Sequence, residues 1–262
     1  IELETKQFGR IAAQTAKHVI RQGIREAERG MQFEEFKRRN QELITARVLR
    51  VDPLTGAATV EIGKSESVLA KSEQLPGETL HEGDRVKVYV VDVKEGERGP
   101  RALISRTYPG LVKRLFEMEV PEIFNGTVEI KSVSREAGSR TKLAVLSKDK
   151  NVDAVGACIG PRGTRVNGIV EELGGEKIDV VEYSDDPAAF IAAALSPAKV
   201  LSVEVDPDGA KACQVTVPDA QLSLAIGNKG QNARLAAKLT GWKIDIRPES
   251  GFYGEEEPAK EE

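Results

Sequence analysis

Ile159-Gly160-Pro161-Arg162-Gly163 is written a second time, 67 residues on, as Ile226-Gly227-Asn228-Lys229-Gly230. The frame around the two copies also matches. Each is followed by about ten residues of helical pattern, then a glycine (Gly174, Gly241), then Lys-Ile-Asp (Lys177 to Asp179, Lys243 to Asp245). One Gly-x-x-Gly is a weak signal, because any tight helix-to-helix corner uses it. Two copies in one frame mark an internal repeat.

Glycine tolerates backbone angles closed to other residues and lets the main chain approach a ligand. Where such a loop opens a helix, free N–H groups and the positive end of the helix dipole are expected to face outward. Arg162 and Lys229 add a mobile cation to each loop. This is the KH signature, a loop that grips about four backbone nucleotides of a single strand. The plain alternative is a helix-turn-helix corner; the pair favours nucleic-acid binding.

The predicted RNA-binding residues follow from that frame. Gly160, Gly163, Gly227 and Gly230 allow close approach, while Arg162 and Lys229 meet phosphate. Pro161 and Asn228 complete the loops, and Arg165 and Arg234 on the following helices add charge along a groove. Asn228 and Asn232 are expected to bond sugar or phosphate. Ile159 and Ile226 are read either as groove floor beneath a base or as core.

Composition sets bounds on this reading. A chain of 262 residues suits two to four small domains. Its net charge of -4 divides unevenly: residues 249–262 hold six Glu and one Lys, so the remainder is near neutral. RNA affinity must then come from local patches rather than a global field. Cys158 and Cys213 stand in no metal or redox spacing, which suits a reducing cytosol. No apolar run reaches the length of a membrane span, and no signal peptide is visible. Ile1 in place of Met reads as the start of a fragment.

From the N-terminus, residues 1–42 carry Phe8, Ile11, Ala12, Thr15, Val19, Ile20, Ile24 and Ala27 at helical spacing. Gly30 suggests a break, with a second short helix from Gln32 to Glu42. The apolar stripe calls for a partner that these residues do not contain. Residues 43–107 switch to strand period. A hairpin turns at Asp52-Pro-Leu-Thr-Gly56, a third strand spans Ser67–Ser72, a fourth follows Glu82-Gly-Asp-Arg-Val86, and Leu103-Ile-Ser105 lies in the fifth. Five short strands predict an OB barrel resembling the RNA-binding repeat of the largest small-subunit ribosomal protein. Where such repeats place stacking aromatics, this chain has Ser67-Val68-Leu69-Ala70, so weak RNA binding by the barrel alone is expected.

Residues 108–184 then read helix, two strands, two helices around the first loop, and a strand, with Pro121 stopping the first helix. Residues 185–249 repeat that order, and 250–262 form an acidic tail expected to be disordered. Helix-first order is that of type II KH domains. The fold class is therefore multidomain α+β: an N-terminal helical segment, a five-stranded OB-fold β-barrel and two tandem type II KH domains. The short link near Ser184–Pro187 predicts that the KH units pack together.

Nothing indicates catalysis. His18 and His81 are the only histidines and are far apart, and no nucleotide-binding phosphate loop occurs. No cofactor, metal or catalytic residue is assigned. Asp179 and Asp245 read as marks of repeated architecture, and Trp242 as core.

Several phrases, among them Arg10-Ile-Ala-Ala-Gln-Thr-Ala-Lys-His-Val-Ile20, Glu119-Val-Pro-Glu-Ile123, Gly138-Ser-Arg-Thr-Lys142, Val155-Gly-Ala-Cys-Ile-Gly160 and Ala225-Ile-Gly-Asn-Lys-Gly-Gln-Asn-Ala-Arg-Leu235, are similar to sequences of the NusA family of bacterial transcription elongation factors. The resemblance covers nearly the whole chain. It implies a cytoplasmic, monomeric RNA-binding protein with no membrane association. Such a protein contacts nascent transcript and RNA polymerase and acts in pausing, termination and antitermination. Other elongation or ribosomal proteins are a further class of partner. Polymerase contact would run through an N-terminal domain of which residues 1–42 hold only the last helices. Two rivals stand beside this reading: the RNA-holding region of an exoribonuclease such as polynucleotide phosphorylase, and a protein-docking scaffold. In the exoribonuclease the KH unit precedes the barrel and a phosphorolytic core precedes both, whereas here the barrel comes first.

Overall fold

The structure, a computed structural model, describes residues 5–63, 65–96, 99–206, 209 and 211–251. The chain divides into two compact units, Ile1–Gln74 with Thr79–Arg106, and Leu75–Glu78 with Thr107–Glu262.

The first unit opens with α1, Thr5–Arg38. It is one continuous helix, so neither the break expected near Gly30 nor a separate helix over Gln32–Glu42 occurs. An interior glycine costs about 1 kcal/mol relative to alanine, which weakens a helix without ending it. Lys37 and Arg38 in the last turn suit the negative end of the dipole. Along the expected apolar stripe, Val19, Ile20 and Ile24 are exposed. The side chains of Phe8 and Ile11 lie outside those described.

Five strands follow: β1 (Leu43–Val51), β2 (Ala58–Ile62), β3 (Ser65–Leu69), β4 (Arg85–Gly96) and β5 (Gly99–Ser105). They form one antiparallel sheet in the order β3-β2-β1-β4-β5, whose outer strands approach each other to leave it nearly closed. Alternate residues point inward, as the period of two requires. Ala46, Val48, Val60, Ile62, Leu69, Val88 and Ile104 make the core. The β1–β2 turn is built by Asp52, whose carboxylate accepts from the Leu54 N–H (2.9 Å) and the Thr55 hydroxyl (2.8 Å). The third strand stops at Leu69 rather than running to Ser72, because the Gln74 amide donates to Leu69 O (3.1 Å) and Gly56 O (2.9 Å). The chain then turns through Lys71–Glu73.

In the second unit the order is α2 (Pro109–Glu119), α3 (Pro121–Phe124), β6 (Val128–Glu136), β7 (Arg140–Ser147), α4 (Ala154–Ile159), α5 (Thr164–Glu172) and β8 (Lys177–Glu182). It repeats as α6 (Pro187–Ala194), β9 (Ser202–Val205), β10 (Ala212–Val217), α7 (Leu222–Ile226), α8 (Gln231–Thr240) and β11 (Lys243–Pro248). Pro121 does more than stop α2, since it occupies the first position of α3, where a missing N–H costs nothing. Asp186 caps α6 by accepting from Ala188 and Ala189 N–H, and left-handed Gly241 closes α8. In each sheet the middle strand runs antiparallel to one neighbour and parallel to the last strand. Thus β7 and β8 pair with Lys142 opposite Asp179, and β10 and β11 with Gln214 opposite Asp245.

The two halves share a core. Ala144 of β7 and Val181 of β8 belong to one buried cluster with Phe190, Ile191, Leu195 and Val215. A buried lysine adds a polar link: Lys142 Nζ donates to Ser196 O (2.7 Å) and pairs with Asp179 (3.1 Å). Burial holds this ammonium below the usual lysine range, against the attraction of Asp179. The acidic tail expected to be disordered, beyond residue 251, lies outside the described residues.

Candidate nucleic-acid interface

The two Gly-x-x-Gly loops have the same backbone. Gly160 (φ 74°, ψ 172°) matches Gly227 (78°, 171°), and Gly163 (78°, 11°) matches Gly230 (73°, 15°). The first glycine of each pair occupies a region essentially restricted to glycine. Between them, Arg162 (54°, 25°) and Lys229 (50°, 32°) are held left-handed, which costs an L-residue roughly 1–2 kcal/mol. The strained residue of each loop is its cation. Non-glycine residues persist in such conformations where the surroundings over-determine them, commonly at ligand sites.

Each loop also closes on itself. Gly163 N–H donates to Gly160 O and Gly230 N–H to Gly227 O, both at 3.1 Å. One of the amides expected to face outward is therefore used internally. Pro161, Arg162, Asn228 and Lys229 are exposed. Ile159 and Ile226 are also at the surface, with nearly equal exposures of 38% and 37%. Both stand outside the core, immediately before the loops.

Beneath the loops the structure departs from the sequence reading. Arg165 does not line a groove with a free charge; its Nη1 donates to Ala157 O (2.6 Å) and to Glu122 of α3 (2.9 Å). Its side chain runs under Gly160, where an added Cβ would come within 2.7 Å of Arg165 Cγ. The residue equivalent to Arg165 is Asn232, not Arg234. Asn232 is only 1% exposed and cannot present its amide to sugar or phosphate. That amide donates to Leu195 O (3.0 Å) and Ala225 O (2.9 Å). An added Cβ at Gly227 would meet the Asn232 backbone N at 2.7 Å. Two positions further along each helix, Asn167 lies against Gly163, and Arg234 donates to Lys229 O (3.1 Å).

Arg234 has a second partner that sequence alone did not suggest. Its Nε donates to Glu136 Oε1 at the end of β6 (2.7 Å). Gln231 donates to Glu136 Oε2 (2.8 Å) and Ser139 Oγ (2.7 Å). The hydrogen bond from Arg234, then that from Gln231, hold the Glu136 carboxyl below the usual carboxylate range. The β6–β7 turn that carries these groups is itself anchored by Glu176, which is buried. Glu176 accepts two bonds from Arg135 Nε (2.9 and 3.2 Å), one from Arg135 Nη2 (2.8 Å), one from Gly138 N–H (2.8 Å) and one from the Thr141 hydroxyl (2.5 Å).

Other titratable groups have structural surroundings. Asp179 pairs with Arg140 and Lys142, whereas its equivalent Asp245 pairs with Arg247 at the surface. Burial pushes the Cys158 thiol up to about 12 and also raises Cys213. His81 lies near Asp84 at the surface (3.6 Å), remote in sequence from His18 on α1. Among the described residues no group of three or more His, Cys, Asp or Glu is placed to hold a metal, and no helix is long and apolar enough to cross a membrane. On the outer face of β3 the side chains are Glu66 and Val68, with Ser67 and Leu69 turned inward.

Comparison with known proteins agrees with this architecture. Residues 1–30 match the NusA N-terminal domain, 38–105 the S1 RNA binding domain, 106–183 the NusA-like first KH domain and 187–253 the NusA-like second KH domain. The chain is 56% identical to the transcription termination/antitermination protein NusA of Halalkalibacterium halodurans, over 95% of this chain and 65% of that protein. It is 56% identical to the protein of that name from Bacillus subtilis, over 95% and 67%, and 52% identical to that of Mycobacterium bovis, over 92% and 71%. The chain thus spans about two thirds of the length of these relatives.

Proposed function

Since the chain belongs to the NusA family, we propose that it holds single-stranded RNA, the nascent transcript, and acts without catalysis in transcriptional pausing, termination and antitermination. The observation that carries this reading is the doubled loop: two backbones of one conformation, each presenting an exposed cation from a strained left-handed residue. Phosphate contacts dominate affinity for single strands and are tolerant of sequence. Arg162 and Lys229 are the groups proposed to meet phosphate. Gly160, Gly163, Gly227 and Gly230 give close approach, and Ile159 and Ile226 offer an apolar surface to a base. Pro161 and Asn228 fill out the loop surface. Arg165 and Arg234 brace the loops and contribute charge from behind.

We further infer domain limits of 1–42, 43–107, 108–184 and 185–249. RNA polymerase is proposed as a partner through the N-terminal region, and the cytoplasm as the place of action, with the protein monomeric.

The test is the pair of substitutions Arg162→Asp and Lys229→Asp, both at exposed positions. Thermal unfolding should be preserved while binding to an unstructured RNA is lost at physiological salt. The slope of log affinity against log salt should fall by about 0.7 for each phosphate contact removed. Unchanged affinity and slope would refute the assignment.

A further inference from the structure

The two loops are braced by different means. Arg165, behind the first loop, reaches Glu122 of its own KH domain. Arg234, behind the second, reaches across 98 residues of sequence to Glu136 of the other KH domain. One carboxylate takes both Arg234 and Gln231, the latter being the first residue of α8 after the loop. Arg234 also holds Lys229 O, so the bond network runs from Glu136 into the loop backbone itself. Shared core packing fixes the domains side by side. That core includes Ala236 and Leu239 of α8, and the bonds from Gln231 and Arg234 to Glu136 add a directional tie between the domains at the start of the helix.

We propose that Glu136 is a positioning residue: by clasping Gln231 and Arg234 it sets where the second loop stands relative to the first, so that one RNA strand engages both. This rests on the RNA-binding reading above. When two sites on one body take one ligand, the second contact is intramolecular, and its benefit depends on the geometry of the sites. Loss of the clasp should therefore weaken a long RNA and spare a short one.

The experiment compares the affinities of a pentanucleotide and of an unstructured RNA of about twelve nucleotides for the chain and for Glu136→Ala and Glu136→Gln. The chain is expected to prefer the longer RNA strongly. Glu136→Ala should reduce that preference roughly ten-fold while leaving pentanucleotide affinity in place. Glu136→Gln, which keeps an acceptor for Arg234, should restore part of it. A preference unchanged in Glu136→Ala overturns the proposal. Tighter binding of both RNAs by that variant also overturns it, because Glu136 would then be competing with phosphate for Arg234. Absence of any length preference in the unaltered chain refutes instead the reading that both loops share one strand. Hydrogen exchange of the first turn of α8, measured without RNA, isolates the clasp from that outcome: faster exchange in Glu136→Ala supports it, and unchanged exchange sinks it.

Discussion

The two Gly-x-x-Gly loops agree in backbone angles to within about ten degrees and in the exposure of the preceding isoleucine, yet they are supported differently. The first rests on an arginine stem whose guanidinium stays within its own domain. The second rests on a buried asparagine and is tied at its side to the neighbouring domain. A loop's conformation is thus a local property fixed by glycines, while its support is tertiary and differs between copies. The arginine behind the first loop stays within its own domain, whereas the second loop adds to its own buried asparagine a tie to the first domain.

The largest effect is expected at Glu176, which is buried beneath the β6–β7 turn. Removing one partner of a buried, hydrogen-bonded ion pair costs about 3–5 kcal/mol, so Glu176→Ala should destabilise the second unit by that order in denaturant unfolding. Hydrogen exchange should quicken in the β6–β7 turn and at the start of α8 before it does so at the first loop. Next are the glycines. In Gly227→Ala the new methyl meets the backbone of buried Asn232, whereas in Gly160→Ala it meets the side-chain stem of Arg165 rather than backbone. Strain and overpacking together predict a loss of about 3 kcal/mol for the former and about 2 kcal/mol for the latter. Equal losses would show that the supports are equivalent.

Smaller effects sharpen the same contrast. Asn232→Ala removes the amide that donates to Ala225 O and to Leu195 O, the latter keeping the Ala198 N–H, at about 1–3 kcal/mol. Arg165→Ala removes a partly exposed pair, worth about 1 kcal/mol or less. The smallest effect is that of pH. Glu136 is held below its ordinary 4.5 by Arg234 and then Gln231, so the clasp's contribution is complete above that value and is lost as pH falls through the lowered one. Amide shifts of Gln231 and Arg234, followed by NMR on acidification, should report this with Lys238 as the other nearby charge.

These contrasts also mark what could be read in advance. The repeat, the element order and the Asp52 turn were legible because each depends on residues close in sequence. Gly30 misled because a glycine's helix penalty is smaller than the gain from continuing a long helix. Asn232 looked like a surface polar group, and nothing local reveals that two carbonyls converge on it. Aligning the two copies residue by residue would have paired it with Arg165. Glu122 and Glu136 lie 43 and 98 residues from the arginines they hold, beyond the reach of any periodicity.

Both loops are proposed to hold one unpaired RNA strand. The most direct measurement of this is an NMR titration of the chain with an unstructured RNA of about twelve nucleotides, following the amides of Gly160, Arg162, Gly163 and of Gly227 through Gly230. Both sets are expected to shift together and to saturate at one equivalent. Saturating RNA that leaves either loop unmoved would contradict that proposal.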